Sequence, residues 1–279
     1  MLLGAHMTIG KGFDRAGMDA LSIGATAMQV FTRNPRGGRA RILKEDEIIR
    51  LQEVRKKGLA AIVCHAPYTM NLASSNEEVR QFGIDTLKED ALRAGRLGAC
   101  GLVLHTGAHT GAGIEEGLAR VMKGLEEILP VMPKGTRLLL EMMSGSGSEL
   151  GSRIEEIKKI LTYFNAPERL GVCLDTCHLH SAGYDMQAWA QFKEQWCMDL
   201  PWSVIGCLHM NDSKTPFESH KDRHERLGEG SIGWQAFETI VQDEAMNGIP
   251  IIMETPNELE GWQNEIAHLR AILDEKRGS

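Results

Sequence analysis

Six short apolar runs, spread along the chain, each end on a residue type that binds metal ions. Ile62-Val63-Cys64 ends on His65, Leu102-Val103-Leu104 on His105, and Leu138-Leu139-Leu140 on Glu141. Val172-Cys173-Leu174 ends on Asp175, Cys207-Leu208 on His209, and Ile251-Ile252-Met253 on Glu254. Apolar runs of this length with little alternation read as strands buried on both faces, as in a parallel sheet covered by helices. In closed sheets of that kind the chemistry gathers at the C-terminal strand ends, so the shared ending constrains both the architecture and the position of a site.

Strand and helix signals alternate from end to end. Strands are expected at Leu2–His6, Ala27–Phe31, Leu59–His65, Gly101–His105, Arg137–Glu141, Gly171–Asp175, Val204–His209 and Ile249–Glu254. Helices are expected at Lys11–Ser22, Glu45–Lys57 (stopped by Gly58), Asn76–Leu97, Ile114–Leu129, Arg153–Phe164, Gln187–Cys197, Trp234–Val241 and Trp262–Asp274. In the third helix Val79, Phe82, Leu87, Ala91 and Leu92 mark the expected buried stripe. The connections include a basic, turn-forming loop at Thr32–Arg39, a long loop at Asn211–Ser231 and a polar, frayed tail at Asp274–Ser279. About eight such units in 279 residues favour an α/β fold of the closed (β/α)8 type, a single TIM-barrel domain over 1–279, rather than an open doubly wound sheet.

Composition narrows the partners. A net charge of -7 argues against generic polyanion binding by a basic surface, although divalent metals in a pocket would make the local potential positive. The six cysteines form no CxxC pair and read as reduced core thiols of a cytoplasmic protein. Met1 to His6 lacks the basic start of a secretory signal, and no run approaches the ~18 apolar residues of a membrane span, so no membrane partner is expected.

The candidate metal ligands are His65, His105, Glu141, Asp175, His178, His209, Asp222, His224 and Glu254. Asp222 and His224 stand two apart, on one side of an extended segment. Imidazole plus carboxylate suits zinc, manganese or iron(II), and one zinc takes about four ligands, so this set implies more than one metal. A single histidine at a strand end is ordinarily just a satisfied polar residue; the recurrence at every one of these ends outweighs that reading. His6, His180 and His220 read as supporting groups near the rim, His109 as either a support behind a ligand or a loop residue, and His268 as unrelated. Gly145 to Gly151 fails the G-x-G-x-x-G spacing and reads as a tight loop allowing close approach of a substrate backbone. Arg33, Arg36, Arg39 and Arg41 form either a phosphate contact beside the pocket or a solvated loop. Tyr68 is either a rim aromatic that enters a duplex or a local packing residue.

Three motifs are more specific than any of these features. They are Asp175-Thr176-Cys177-His178 with Ala182-Gly183-Tyr184-Asp185, His209-Met210-Asn211-Asp212-Ser213-Lys214, and Asp222-Arg223-His224 with Leu227-Gly228-Glu229-Gly230. Gly4-Ala5-His6, Asn34-Pro35-Arg36, His65-Ala66-Pro67-Tyr68 and Glu254-Thr255-Pro256 add to them. In this order, and over essentially the whole chain, they resemble the endonuclease IV family of abasic-site DNA repair nucleases.

The resemblance implies a TIM barrel holding three zinc ions, with manganese possible at one or more positions. One zinc takes His65, His105 and Glu141; the second shares Glu141 and adds Asp175, His209 and Glu254; the third takes His178, Asp222 and His224. It implies a monomer that acts on double-stranded DNA, cleaving the phosphodiester 5′ to an abasic site to leave a 3′-hydroxyl, and trimming blocked 3′ ends. Arg36 and Tyr68 fall in loops that enter the DNA. A bridging carboxylate such as Glu141 can hold two metals ~3.5–4 Å apart around a hydroxide, which Glu254 is placed to orient. Three positions depart from the family pattern: Met142-Met143 replaces Asn-Thr, Thr106 replaces proline, and Thr69 replaces a larger aliphatic residue. Two other readings fit the same barrel. A metal-dependent sugar isomerase or epimerase has no use for the trio His178, Asp222 and His224 or for the Arg36 loop. A non-catalytic lesion-binding protein has no need of so many ligands.

Overall fold

The computed structural model describes residues 1–36 and 38–278; Gly37, inside the expected basic turn, and Ser279, at the end of the expected tail, lie outside the described residues. The strands are β1 (Leu2–His6), β2 (Ala27–Phe31), β3 (Ala61–His65), β4 (Gly101–His105), β5 (Arg137–Glu141), β6 (Leu170–Asp175) and β7 (Ile205–His209). A two-stranded antiparallel ribbon, β8 (Asp212–Ser213) with β9 (His224–Glu225), precedes β10 (Pro250–Met253). Strands β1 to β7 and β10 close into one barrel in chain order, with β10 between β7 and β1 and every neighbouring pair parallel. This is the expected (β/α)8 architecture; seven strands end where the apolar runs predict, and β10 stops at Met253, one residue before Glu254.

The helices around it are α1 (Phe13–Ser22), α2 (Glu45–Lys56), α3 (Glu77–Leu97), α4 (Ile114–Ile128), α5 (Ile154–Phe164), α6 (Thr176–Ala182), α7 (Trp189–Asp199), α8 (Trp234–Gln242) and α9 (Leu259–Gly278). None of the described helices is long and apolar enough to cross a membrane. Most of the core lies between the strands and this helical layer. A second, smaller core fills the barrel itself, with Val63, Val103, Leu139 and Ile252 among its members. Leu139 is its plug. A Cβ on Gly101 of β4 or Gly206 of β7 would come within 2.5 Å of the Leu139 methyls, so glycine on these two strands makes room for it. Leu139 and Glu141 are alternate residues of β5 and share its inward face, so the apolar plug seals the barrel directly beneath the carboxylate.

Five expectations need correction. Between Asp175 and Gln187, where no helix is expected, lies α6; its seven residues are all buried, so it has no amphipathic period to read. The long loop after His209 contains the ribbon β8–β9. The last helix starts three residues earlier than expected and continues to Gly278, through most of the expected tail. In α3 the buried face is Ile84, Leu87, Ala91 and Ala94, while Val79, Phe82 and Leu92 are exposed. Phe82 and Leu92 each sit five residues from Leu87, about 140° round the helix, and therefore face solvent. All six cysteines are free, but Cys100 and Cys197 are exposed rather than in the core.

Candidate metal centre

Each of the nine expected ligands lies at the C-terminal mouth of the barrel. His65, His105, Glu141, Asp175 and His209 end β3 to β7, and Glu254 follows β10. His178 stands in the first turn of α6, Asp222 two residues before His224, and His224 in β9. Glu141 is the hub. Its Oε2 lies 3.2 Å from His65 Nε2 and 3.3 Å from His105 Nε2, and its Oε1 lies 3.0 Å from His209 Nδ1 and 3.4 Å from His178 Nδ1. Glu254 Oε2 approaches His209 Nδ1 at 3.3 Å. Asp222 bridges His178 Nε2 at 3.3 Å and His224 Nε2 at 3.1 Å. Asp175 Oδ2 sits 3.8 Å from His209 and 3.7 Å from His224. A pocket of about 530 Å³ opens over these groups, with Phe31, Tyr68 and Trp262 on its wall.

Local structure aims the side chains. Asp175 caps α6, its Oδ1 accepting from the backbone N–H of His178 at 2.9 Å, which leaves Oδ2 for the pocket and for Asn211 Nδ2 at 2.7 Å. Gly183, in the left-handed region at φ 97°, ends the same helix. Asp212 folds the loop that returns His224: its carboxylate accepts from the backbone N–H groups of Ser213, Gly228, Gly230, Ile232 and Gly233.

Several imidazoles have one nitrogen satisfied from behind. His65 Nδ1 donates to Ala66 O at 2.7 Å, His178 Nδ1 to Met142 O at 3.0 Å and His209 Nε2 to Gln29 Oε1 at 2.8 Å, in the tautomers this network favours. The opposite nitrogen of each faces carboxylate oxygens and is the one left for a metal once its proton is displaced, the arrangement that orients a metal-binding histidine. His178 Nε2 and His224 Nε2 are buried without an aligned hydrogen-bond partner. Buried polar atoms are normally satisfied, so these orphaned nitrogens fit a cation shared with Asp222.

The electrostatics agree with this fit. Burial alone would raise Glu141, but His209 and His105 outweigh it and hold the carboxyl well below its usual range. Burial likewise opposes ionisation of Glu254 and Asp222, and the facing histidines lower both. Burial would lower His178 and His209; the carboxylates around them raise both well above the ordinary imidazole value. His224 is raised to about 9, with Asp175 and Asp222 overcoming its burial. His65 goes the other way, lowered by burial. The cluster is a buried field of negative carboxylates that recruits positive charge.

Sequence reasoning missed the groups that hold the ligands. Gln29 is fully buried; besides accepting from His209, its Nε2 donates to Glu254 Oε1 at 2.6 Å. A lone amide inside the apolar run Ala27-Met28-Gln29-Val30-Phe31 was the available signal. Asn211 is also buried, and its Oδ1 accepts from the backbone of Glu254. His6 Nδ1 lies 2.9 Å from Glu254 Oε1, a supporting position as expected. His180 pairs with Ser231, His220 with Ser144 O, and His109 accepts from Gly113 at the start of α4; His268 meets Glu238 on the outer surface. Thr106 donates to the Glu141 carbonyl at 3.0 Å, and the Met142 carbonyl still orients His178 despite its apolar side chain. The Gly145–Gly151 loop is closed on itself by Glu149, which accepts from Ser144 and Ser146. Of the four loop arginines, Arg33 is consumed by Asp90 and Glu89 and Arg41 by Glu47, leaving Arg36 and Arg39 exposed.

Known proteins resemble this chain along its whole length. The family described as xylose isomerase-like TIM barrel matches residues 19–272. A protein of Heliobacterium modesticaldum named probable endonuclease 4 is 44% identical over 275 residues, covering 98% of this chain and 99% of its own. Another of that name from Clostridium botulinum is 40% identical over 271 residues, covering 96% and 98%. The crystal structure of endonuclease IV from Thermus thermophilus superposes with a TM-score of 0.88 at 29% identity, over 99% of this chain and 100% of that one. With strand-end histidines and carboxylates gathered in one pocket and this likeness running from end to end, the chain belongs to the endonuclease IV family of xylose isomerase-like TIM barrels.

Proposed function

We propose that the protein is a metal-dependent DNA-repair endonuclease that hydrolyses the phosphodiester 5′ to an abasic site, leaving a 3′-hydroxyl, and that it also trims blocked 3′ ends. The observation that carries this reading is the ligand cluster around Glu141 at the mouth of a barrel related along its length to endonuclease 4 proteins.

The donor set suits three metals, and zinc is the proposed occupant, with manganese possible at one or more positions. His65, His105 and Glu141 have ligand atoms within 4.8 Å of one another, and so do His178, Asp222 and His224. Glu141, shared with the first trio, would hold the remaining ion together with Asp175, His209 and Glu254. Divalent metals there supply Lewis acidity toward a phosphodiester and a nucleophile at neutral pH. Glu141 ties two of the positions together, and Glu254, gripped by His6 and Gln29, is the carboxylate held in fixed orientation beside them. Phe31, Tyr68 and Trp262 wall a pocket suited to an extruded sugar without its base. Arg36 supplies positive charge at the rim of an acidic protein. The proposed partner is duplex DNA, and the proposed working form is a cytoplasmic monomer.

The test is incision of a duplex carrying one abasic analogue. Cleavage on the 5′ side, lost after prolonged chelation and restored by zinc, with three equivalents of zinc in the purified protein, is the expected result. Isomerisation of free sugars without nicking would replace this reading with that of a sugar-converting barrel.

A further inference from the structure

Beneath the candidate centre, Cys173 of β6 and Cys207 of β7 face each other as paired residues of adjacent strands. Both are fully buried and both thiols are free. Each lies two residues before a strand-end group, Asp175 or His209, so all four side chains share the inward face of the barrel. The two sulfurs and one ring nitrogen of His209 lie within 4.8 Å of one another. The apolar side chains packed around the two thiols include Val63, Val103, Leu139 and Ile252.

Sulfur changes the metal preference. The pocket above offers carboxylate and imidazole, which suit borderline ions; two thiolates with one imidazole also accept zinc but shift the preference toward softer ions such as cadmium or copper(I). At a metal–sulfur distance near 2.3 Å, tetrahedral geometry brings two sulfurs to about 3.8 Å, so at most a modest contraction of the trio would bring it to ligand spacing. We propose that Cys173, Cys207 and His209 form a second metal site, selective for thiophilic cations, that competes with the nuclease centre for His209. Binding forms two metal–sulfur bonds and releases the two thiol protons to solvent. His209 cannot orient fully toward both layers, so filling the lower site weakens the upper one. Only this competition rests on the proposed nuclease reading; the sulfur site does not.

The experiment is a cadmium titration of the zinc-loaded protein, following the ultraviolet thiolate-to-cadmium charge-transfer band, released zinc and nicking of an abasic duplex. The expected result is a band saturating at one equivalent, with zinc release and loss of nicking in parallel. Cys173→Ala and Cys207→Ala should lose the band, and Cys177→Ala, whose thiol neighbours Asp175 and His224, should keep it. Nicking by Cys207→Ala should tolerate about tenfold more cadmium, equivalent to about 1.4 kcal/mol. Cys207→Ser, close in shape, repeats the measurement if the alanine variant fails to fold. A band that survives both substitutions, or zinc release with no band, would overturn the proposal and leave the pair as ordinary core thiols. A thiol-dependent band with undiminished nicking would overturn the sharing of His209. A preparation that never nicks would instead count against the nuclease reading.

Discussion

The backbone N–H of Tyr68 donates to the carbonyl of Pro35 at 3.0 Å, joining the loop after β3 to the loop after β2. The two side chains proposed to meet DNA therefore stand on one connected rim. Asn34 Oδ1 accepts from the Arg36 N–H at 2.9 Å and turns that loop, while Tyr68 rests edge-on against Phe31 with ring centroids 5.1 Å apart. Arg36 itself is exposed, with no side-chain partner among the described residues. Arg36→Ala should weaken duplex binding while leaving zinc content intact, and should reduce the salt dependence of binding by about one phosphate contact. Binding measured across a salt series, beside metal analysis, checks this; a fall in bound zinc would mean that the loop supports the metal pocket instead.

Beneath that rim, Arg33 is buried and holds the loop from below. It contacts Asp90 at 2.8 and 2.9 Å and Glu89 at 2.9 Å, and donates to the Gly38 carbonyl at 2.9 Å. Arg93 donates to the carbonyls of Thr32 and Arg41 on either side. Asp90→Ala would remove the one buried counter-charge of Arg33 and leave it only the exposed Glu89, at a cost on the order of 3 kcal/mol, which lowers Tm by roughly 6–12 °C for a chain of this size. Because the damage falls on the loop and not on the ligands, KM for DNA should rise with kcat and metal content little changed. A melting curve with unaltered midpoint would show that the loop does not depend on this anchor.

These anchors explain what could be read from the sequence and what could not. Apolar runs ending on His65, His105, Glu141, Asp175, His209 and Glu254 were legible because barrel strands carry an uninterrupted hydrocarbon signal and their ends are marked by the first polar group. Asp222 and His224 were legible as a motif, but not the mechanism that returns them, since the five N–H groups gathered by Asp212 belong to backbone and leave no residue-type signature. The helix α6 was hidden because Thr, Cys, His and Ser are poor helix formers and the capping role of Asp175 is masked by its position at a strand end. Gln29 and Asn211 were missed because their partners lie far away in sequence. Arg33 and Arg36 look equivalent in one basic loop; only packing against α3 separates the buried anchor from the exposed cation.

The charge state of the metal-free pocket sets its pH response. His224 is raised to about 9 in the folded chain, from an ordinary value near 6.5, because Asp175 and Asp222 outweigh its burial. A raised imidazole contributes stability that is fully present below about 6.5 and is lost as pH rises through about 9. Metal must displace that proton, so metal affinity should increase over the same interval. Chelated protein should therefore melt at a lower temperature at pH 9.5 than at pH 6.5, and added zinc should raise Tm by more at the higher pH. Thermal melts of chelated and zinc-loaded protein at the two pH values measure both. Equal increments would mean that His224 is not a proton competitor of the bound metal.

Glu141 and Gln29 bracket His209 from opposite sides, and the two should fail differently. Glu141 meets His209 Nδ1 at 3.0 Å and also faces His65, His105 and His178, so Glu141→Gln removes the one negative charge common to the cluster. Turnover should be abolished, bound zinc should fall by more than one equivalent, and excess zinc should not restore activity. Gln29 touches no proposed substrate position; it accepts from His209 Nε2 and donates to Glu254. Gln29→Leu keeps every ligand but frees the His209 ring and loosens Glu254, and loss of such an orienting partner typically costs about 10–100-fold in metal affinity or activity. Its nicking should be weak at limiting zinc and should recover as zinc is added. Zinc-dependent activity curves for both variants separate the roles. If Gln29→Leu follows the wild-type curve, the amide does not orient His209, and the buried network behind the pocket stabilises the barrel without tuning the metals.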